Sequence, residues 1–290
     1  MTQDDKMLIE EAKWLGRQLA TIPPHRLSPM LNAGSQTLHF RQFVQPWMEQ
    51  YVFAPLKARG VRVVHTDLRP GAGVDIVGDL RDDEFLHRLQ AYGFRSLFCS
   101  NLLEHVPQPD RLAGQLVRIL PVGGLLFVSC PRAFPYHPDP IDTGFRPDVE
   151  HLASLFPQTR LVVGEIVDCG PLWHYFLARF RAWCREHRAQ ATPASAAGMS
   201  SRDAGKVLQP SEPMASDQQG LATPAPRTSN NADDNHRQDK NVQAAHPQDW
   251  RRVLELAGWL CRPVSATCAV LEVVPVWRPS PVAQQQPCAS

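Results

Sequence analysis

The residues able to do chemistry in this chain stand at the ends of short apolar runs. Val61 to Thr66 ends at Asp67, and Val74 to Val77 ends just before Asp79. A carboxylate at the first position can accept hydrogen bonds from both hydroxyls of a ribose. One at the second could accept from an adenine amino group. After Pro29 to Ala33 comes Gly34, which permits a tight turn with close backbone approach. The amides that follow open the next helix and could bind an anion such as a carboxylate. A fourth run, Ser96 to Ser100, leads into Asn101, Leu102, Glu104 and His105. A fifth, Leu125 to Cys130, stops at Pro131 and opens a loop rich in Pro, His and Asp, with Tyr136, His137, Asp139, Asp142 and Arg146.

Plainer roles exist for each. Asp67 could cap a turn, and Asp79 could be a turn or N-cap residue. Glu104 and His105 could be solvated or bind backbone amides. Asp142 and Arg146 could pair with each other, and Asp148 reads as an N-terminal charge on the next helix. An adjacent Glu-His has poor metal-ligand spacing, so no metal site is expected.

Positioning these residues falls to alternating strands and helices. Glu10 to Ala20 reads as a helix with Leu8, Ala12, Leu15 and Leu19 on one face. Further helices are expected over Phe40 to Arg59 (bent at Pro46 and Pro55), Asp83 to Tyr92, Pro109 to Leu120, Asp148 to Phe156 and Pro171 to Ala189. Arg160 to Asp168 is a sixth strand. Such alternation indicates a mostly parallel sheet covered on both faces. A helix over Trp250 to Leu260 and a strand over Thr267 to Trp277 follow, and that strand must return into the same sheet.

Composition sets the boundaries. The 290 residues include 27 Pro, and no Phe, Tyr or Trp occurs between Ala189 and Pro247, a stretch rich in Ala, Ser, Pro, Gln, Asn, Asp and Gly. Such a segment cannot bury enough apolar surface to offset its conformational entropy. The expected organisation is therefore an N-terminal helix (1–28), one domain (29–188 with 249–278), a disordered insertion (189–248) and a disordered tail (279–290). A net charge of +1 argues against a dedicated nucleic-acid binder. No apolar run approaches the ~20 residues of a membrane span, and Met1 to Glu10 has no apolar signal region. The seven Cys include no CxxC pair, which fits a reducing cytoplasm.

The segment Cys99 to Val106 is similar to the motif after strand four of class I S-adenosylmethionine-dependent methyltransferases of the type 11-like kind. Arg118 to Pro131 resembles their turn through Pro-x-Gly-Gly into strand five. Pro135 to Arg146 looks like a loop of bacterial methyltransferases linked with glycan or natural-product biosynthesis. The resemblance covers roughly Leu27 to Asp168 and the final strand. The family's first motif is degenerate: Asn32 stands at its acid position, and Gln36 and Leu38 replace two glycines.

The resemblance implies a Rossmann-like, doubly wound, mostly parallel sheet of seven strands with the last antiparallel, and S-adenosyl-L-methionine as cofactor. Asp67 would hold the ribose, Asp79 and Leu80 would flank the adenine, and Asn32, Gly34 and Ser35 would approach the methionine end. Asn101 and Leu102 would line the floor. Glu104, Tyr136, Asp142 and Arg146 would face a small-molecule, glycan or lipid-linked acceptor. A hydroxyl acceptor would need a base, for which His137 and His105 are the candidates, with Asp139 and Asp142 able to orient one of them. A non-catalytic methyltransferase-like scaffold is the alternative, and a nicotinamide-dependent oxidoreductase is disfavoured with one glycine left. Aromatic and Arg residues over 171–188 and 250–260 either pack on the sheet or form a peripheral membrane surface.

Overall fold

The computed structural model describes residues 7–137, 141–191 and 257–275, with the backbone alone over 186–191. The central strands β1 (Met30–Ala33), β4 (Ser96–Ser100) and β5 (Leu125–Ala133) are apolar runs, and their side chains are buried on both faces almost throughout. That is the pattern of strands flanked by helices on either side. With β2 (Val63–Asp67), β3 (Ile76–Val77), β6 (Thr159–Pro171) and β7 (Pro263–Val273) they make one seven-stranded sheet in the order β3-β2-β1-β4-β5-β7-β6. The pairs among β1 to β5 are parallel, and β7 runs antiparallel to both β5 and β6.

Strand alternation sends neighbouring residues to opposite cores. Phe98 and Phe127 join Trp14, Leu15, Trp47, Phe53 and Leu172 on one face. Leu97 and Leu126 join Phe85, Leu89, Leu112, Leu116 and Leu152 on the other. Burying a side chain of this size contributes about 2 kcal/mol. The first face is covered by the N-terminal helix (Ile9–Thr21), the 40–58 segment and the Leu172–Ala191 helix. The helices Asp83–Gln90, Pro109–Arg118 and Val149–Ser154 cover the second. Gly16 lets the N-terminal helix approach closely, because a Cβ there would lie 2.2 Å from the carbonyl oxygen of Tyr51. Asp148 caps the Val149–Ser154 helix, accepting from the His151 amide at 2.8 Å.

Several sequence expectations are corrected. β5 runs through Pro131 to Ala133 with an irregularity there. Its β4 pairing ends at Ser129, so Pro131 is paired on one side only, where a missing donor is tolerated. The last strand is Pro263–Val273 rather than 267–277, because its register is set by β5 and β6. The 40–58 segment contains π turns at Phe40–Val44 and Glu49–Phe53, with a break at Gln45 imposed by Pro46. The expected tail, nearly all of the expected insertion and the first seven residues of the Trp250 to Leu260 helix lie outside the described residues.

Candidate functional site

The chain leaves β1 toward β2 on one side and returns through β4 on the other, so the loops after β1 and β4 part at the carboxyl edge of the sheet. Ligands bind at such a switch point in doubly wound sheets. A cleft of about 460 Å³ opens there, lined by Gly34 and Gln36 after β1, Asp67 at the end of β2, Asp79 and Leu80 after β3, and Leu102 and His105 after β4. A second hollow of about 510 Å³ shares Asp79, Arg81, Val106 and Leu112 with it, but does not touch the loops after β1 and β2.

The loop after β1 keeps a glycine-like backbone although one glycine remains. Gly34 has φ +69°, and a Cβ on it would lie 3.1 Å from Leu102 Cδ1. Gln36 has φ +53°, a region disfavoured for a residue with a Cβ. Its amide donates to Asp67 Oδ2 at 2.9 Å. From behind, the buried Arg41 donates to the carbonyls of Ser35 (2.9 Å) and Gln36 (2.6 Å) through one nitrogen, and to Gly73 (2.8 Å) through another. Burial lowers the pKa of this guanidinium, against the pull of Glu49, Asp75 and Asp67.

Asp67 also accepts from the Arg69 amide at 3.1 Å. An ionised carboxylate offers about four acceptor sites, so two amides leave room for two hydroxyl donors. Asp79 differs from the expectation. Arg81 bonds it through Nε, a terminal nitrogen and its amide, at 2.7–3.2 Å. It has no capacity for an amino group unless this exposed pair opens, and such pairs are weak. Leu80, Leu102, Val106 and Leu112 supply the apolar wall beside it.

Asn32 and Ser35 do not line the cleft. Asn32 is buried and binds His65 Nδ1 through Nδ2 at 3.0 Å, tying β1 to β2. Burial and the nearby Arg41 push His65 down to about 4, so it is neutral at pH 7. The Ser35 amide is committed to the Thr66 carbonyl. Asn101, at φ +50°, also lies under the surface. Its Nδ2 donates to Glu11 Oε1 at 2.8 Å, while Oδ1 has no hydrogen-bond partner among the described residues.

Glu11 was not singled out from the sequence. Its fully buried carboxylate also accepts from Ser100 Oγ (3.1 Å) and the Leu8 amide (2.8 Å). The available signal was its place on the apolar stripe of Leu8, Ala12 and Leu15. Burial raises its pKa above 4.5 and the surrounding donors only partly offset this. A carboxyl group whose folded value is raised contributes its stability below the unfolded value and loses it as pH rises. Glu11→Gln should therefore show a smaller fall in unfolding free energy than the wild type as pH rises from 4.5. Urea unfolding at several pH values checks this, and parallel profiles would refute it.

At the other end of the cleft the fold brings Glu104, His105, His137, Asp142 and Arg146 together. Asp142 accepts from the His137 and Gly144 amides (2.9 and 2.8 Å) and from Arg146 at 2.7 Å. Burial pushes its pKa up, but these bonds prevail and hold it at about 2. Asp142 and Arg146 therefore hold the loop together. His137 is pushed down to about 4, chiefly by burial, and does not line the cleft, whereas His105 does. A base that acidic is a poor proton acceptor at neutral pH. The two rings stand 5.3 Å apart, edge to face. Tyr136 is 56% exposed and not part of the cleft lining. Asp139 lies outside the described residues.

The Leu172–Ala191 helix buries Leu172, Tyr175 and Ala182 and exposes Trp173, Phe180 and Trp183. Among the described residues no helix is long and apolar enough to cross a membrane.

No family model and no curated protein matches the chain. Solved structures superpose on it at low identity. A putative sarcosine dimethylglycine methyltransferase from Galdieria sulphuraria is 10% identical, with a TM-score of 0.46 over 91% of this chain and 84% of its own. A coclaurine N-methyltransferase is 11% identical, at 0.44 over 94% and 73%. The [4+2]-cyclase SpnF is 12% identical, at 0.38 over 90% and 82%. Likeness at this level carries no functional argument.

Proposed function

We propose that the chain is an S-adenosylmethionine-dependent methyltransferase acting on a small-molecule, glycan or lipid-linked acceptor. The observation that carries this reading is the cleft at the β1/β4 switch point, lined by Asp67, Leu80 and Leu102. The residues fit the cofactor. Asp67 keeps acceptor capacity for ribose hydroxyls, the Leu80, Leu102, Val106 and Leu112 wall suits a planar base, and Asn101 Oδ1 is a buried acceptor lacking a donor.

When bound, the cofactor supplies a methyl group on a sulfonium, already activated for in-line displacement. The protein's contribution is then proximity and alignment. Asp67 fixes the ribose end, Gly34 allows the backbone to approach, and the apolar wall excludes water. Glu11 brings a carboxylate beside Asn101 that position 32 lacks. A hydroxyl acceptor enters beside His105, whose Nδ1 faces the carbonyl of Ile141 and so carries a hydrogen.

The non-catalytic alternative draws support from the Asp79–Arg81 pair at the adenine position. Calorimetric titration separates the two. Binding of S-adenosylhomocysteine and none of NAD is expected; no binding at high concentration would favour the scaffold.

The same reading includes a cytoplasmic, membrane-peripheral location through the exposed aromatics of 171–188, with 250–260 as the second part. Exchanging Phe180 and Trp183 for Ser should lower co-sedimentation with anionic vesicles about tenfold, since each buries a large amphipathic surface at the headgroups. Unchanged co-sedimentation removes this part of the proposal.

A further inference from the structure

We propose that Glu104, His105 and His137 bind a divalent transition-metal ion, with zinc as the fitting ion, at the acceptor end of the cleft. Each residue offers one ligand atom, and these atoms all lie within 4.8 Å of one another. The tight turn Leu103–His105 brings Glu104 Oε1 and His105 Nε2 to 3.7 Å. The third ligand comes from the loop after β5, which sequence spacing could not connect to them. A tetrahedral zinc ion with bonds of about 2.0–2.2 Å holds its ligand atoms about 3.4 Å apart. Small side-chain rotations therefore suffice.

The outer contacts are those of a ligand set. Metal-bound imidazoles typically give their second nitrogen to a backbone carbonyl or a carboxylate, which fixes the tautomer and ring orientation. Here His105 Nδ1 is on the carbonyl of Ile141, and His137 Nδ1 is 3.0 Å from the carbonyl of Pro135 and 3.2 Å from Asp142 Oδ2. With Nδ1 engaged in this way, Nε2 is the nitrogen that each ring would turn to the ion. Glu104 is fully buried, and its main-chain carbonyl accepts from the amide and hydroxyl of Thr143 at 2.9 and 3.1 Å. Two His and one carboxylate leave a position open, as catalytic zinc sites do.

His105 lines the cleft, so the open position would face an acceptor there. A bound cation lowers the pKa of a coordinated hydroxyl and orients it. The ion would favour loss of the acceptor's proton to solvent, with the imidazoles serving as ligands and not as bases, and the acceptor class would be an oxygen nucleophile, often chelating. This role for the ion rests on the methyltransferase reading. Metal binding itself does not.

The test is titration of the chelator-treated full chain with Co2+, followed by its visible absorption, with Zn2+ competition. One equivalent is expected to bind, with bands of a four- or five-coordinate site that Zn2+ displaces. His137→Ala should weaken binding at least 100-fold, while S-adenosylhomocysteine binding and circular dichroism stay as in the wild type, because His137 does not line the cleft. Absence of stoichiometric binding by the wild type overturns the proposal. So does wild-type Co2+ affinity in a folded His137→Ala protein. Co2+ binding without S-adenosylhomocysteine binding would refute the methyltransferase reading and leave the metal site standing.

Discussion

Asp67→Ala is expected to raise the dissociation constant for S-adenosylhomocysteine about 100-fold. The carboxylate already accepts the amides of Gln36 and Arg69 and has two acceptor sites left. Hydrogen bonds to a charged group contribute about 1.5–3 kcal/mol each. Losing two ribose hydroxyl bonds therefore costs about 3 kcal/mol or more, and each 1.4 kcal/mol is tenfold in affinity. The substitution also removes the anchor of the Gln36 amide, which holds a left-handed backbone at the cleft edge. Asp67→Asn should fall between the two, because its amide oxygen still accepts. Calorimetry with a melting curve on each variant checks this. Wild-type affinity in a folded Asp67→Ala protein would remove Asp67 from the site.

The second large effect is on stability. Arg41→Leu should lower the unfolding free energy by about 4 kcal/mol in urea denaturation. The guanidinium is buried and serves the carbonyls of Ser35, Gln36 and Gly73 together. Each buried group left without a partner costs about 1–3 kcal/mol. Arg41→Lys should recover little, since an ammonium is a point charge and cannot reproduce the planar fork. Both variants should also bind S-adenosylhomocysteine more weakly, because the loop they release carries Gln36. A loss under 1 kcal/mol would mean that water replaces the guanidinium at no cost.

These two residues mark the boundary of what the sequence makes legible. Asp67 was readable because an apolar strand that stops at an acid places that acid at a sheet edge, and the switch-point rule then makes it a ligand candidate. Gly34 follows by the same reasoning, Leu80 and Leu102 follow from the family resemblance, and all three line the cleft. Arg41 was not readable. It sits within a helical pattern between Phe40 and Gln42, and only the return of the 71–74 loop gives it Gly73 to bind. Asn32 and Ser35 fall at the expected position in the chain, yet both are buried and bonded within the sheet edge, outside the cleft lining.

The local periodicity of apolar residues by itself determined the strand and helix sequence, the mostly parallel sheet and the edge at which the cleft opens. Those are properties of short segments, governed by the two-residue and 3.6-residue periods. Tertiary structure alone decided which distant side chains meet: Glu11 with Asn101, Arg41 with Gly73, and His137 with Glu104 and His105. The reason is physical. A buried charge or imidazole is stable only where other segments supply its partners, and those partners are set by strand order and loop path rather than by neighbouring residues.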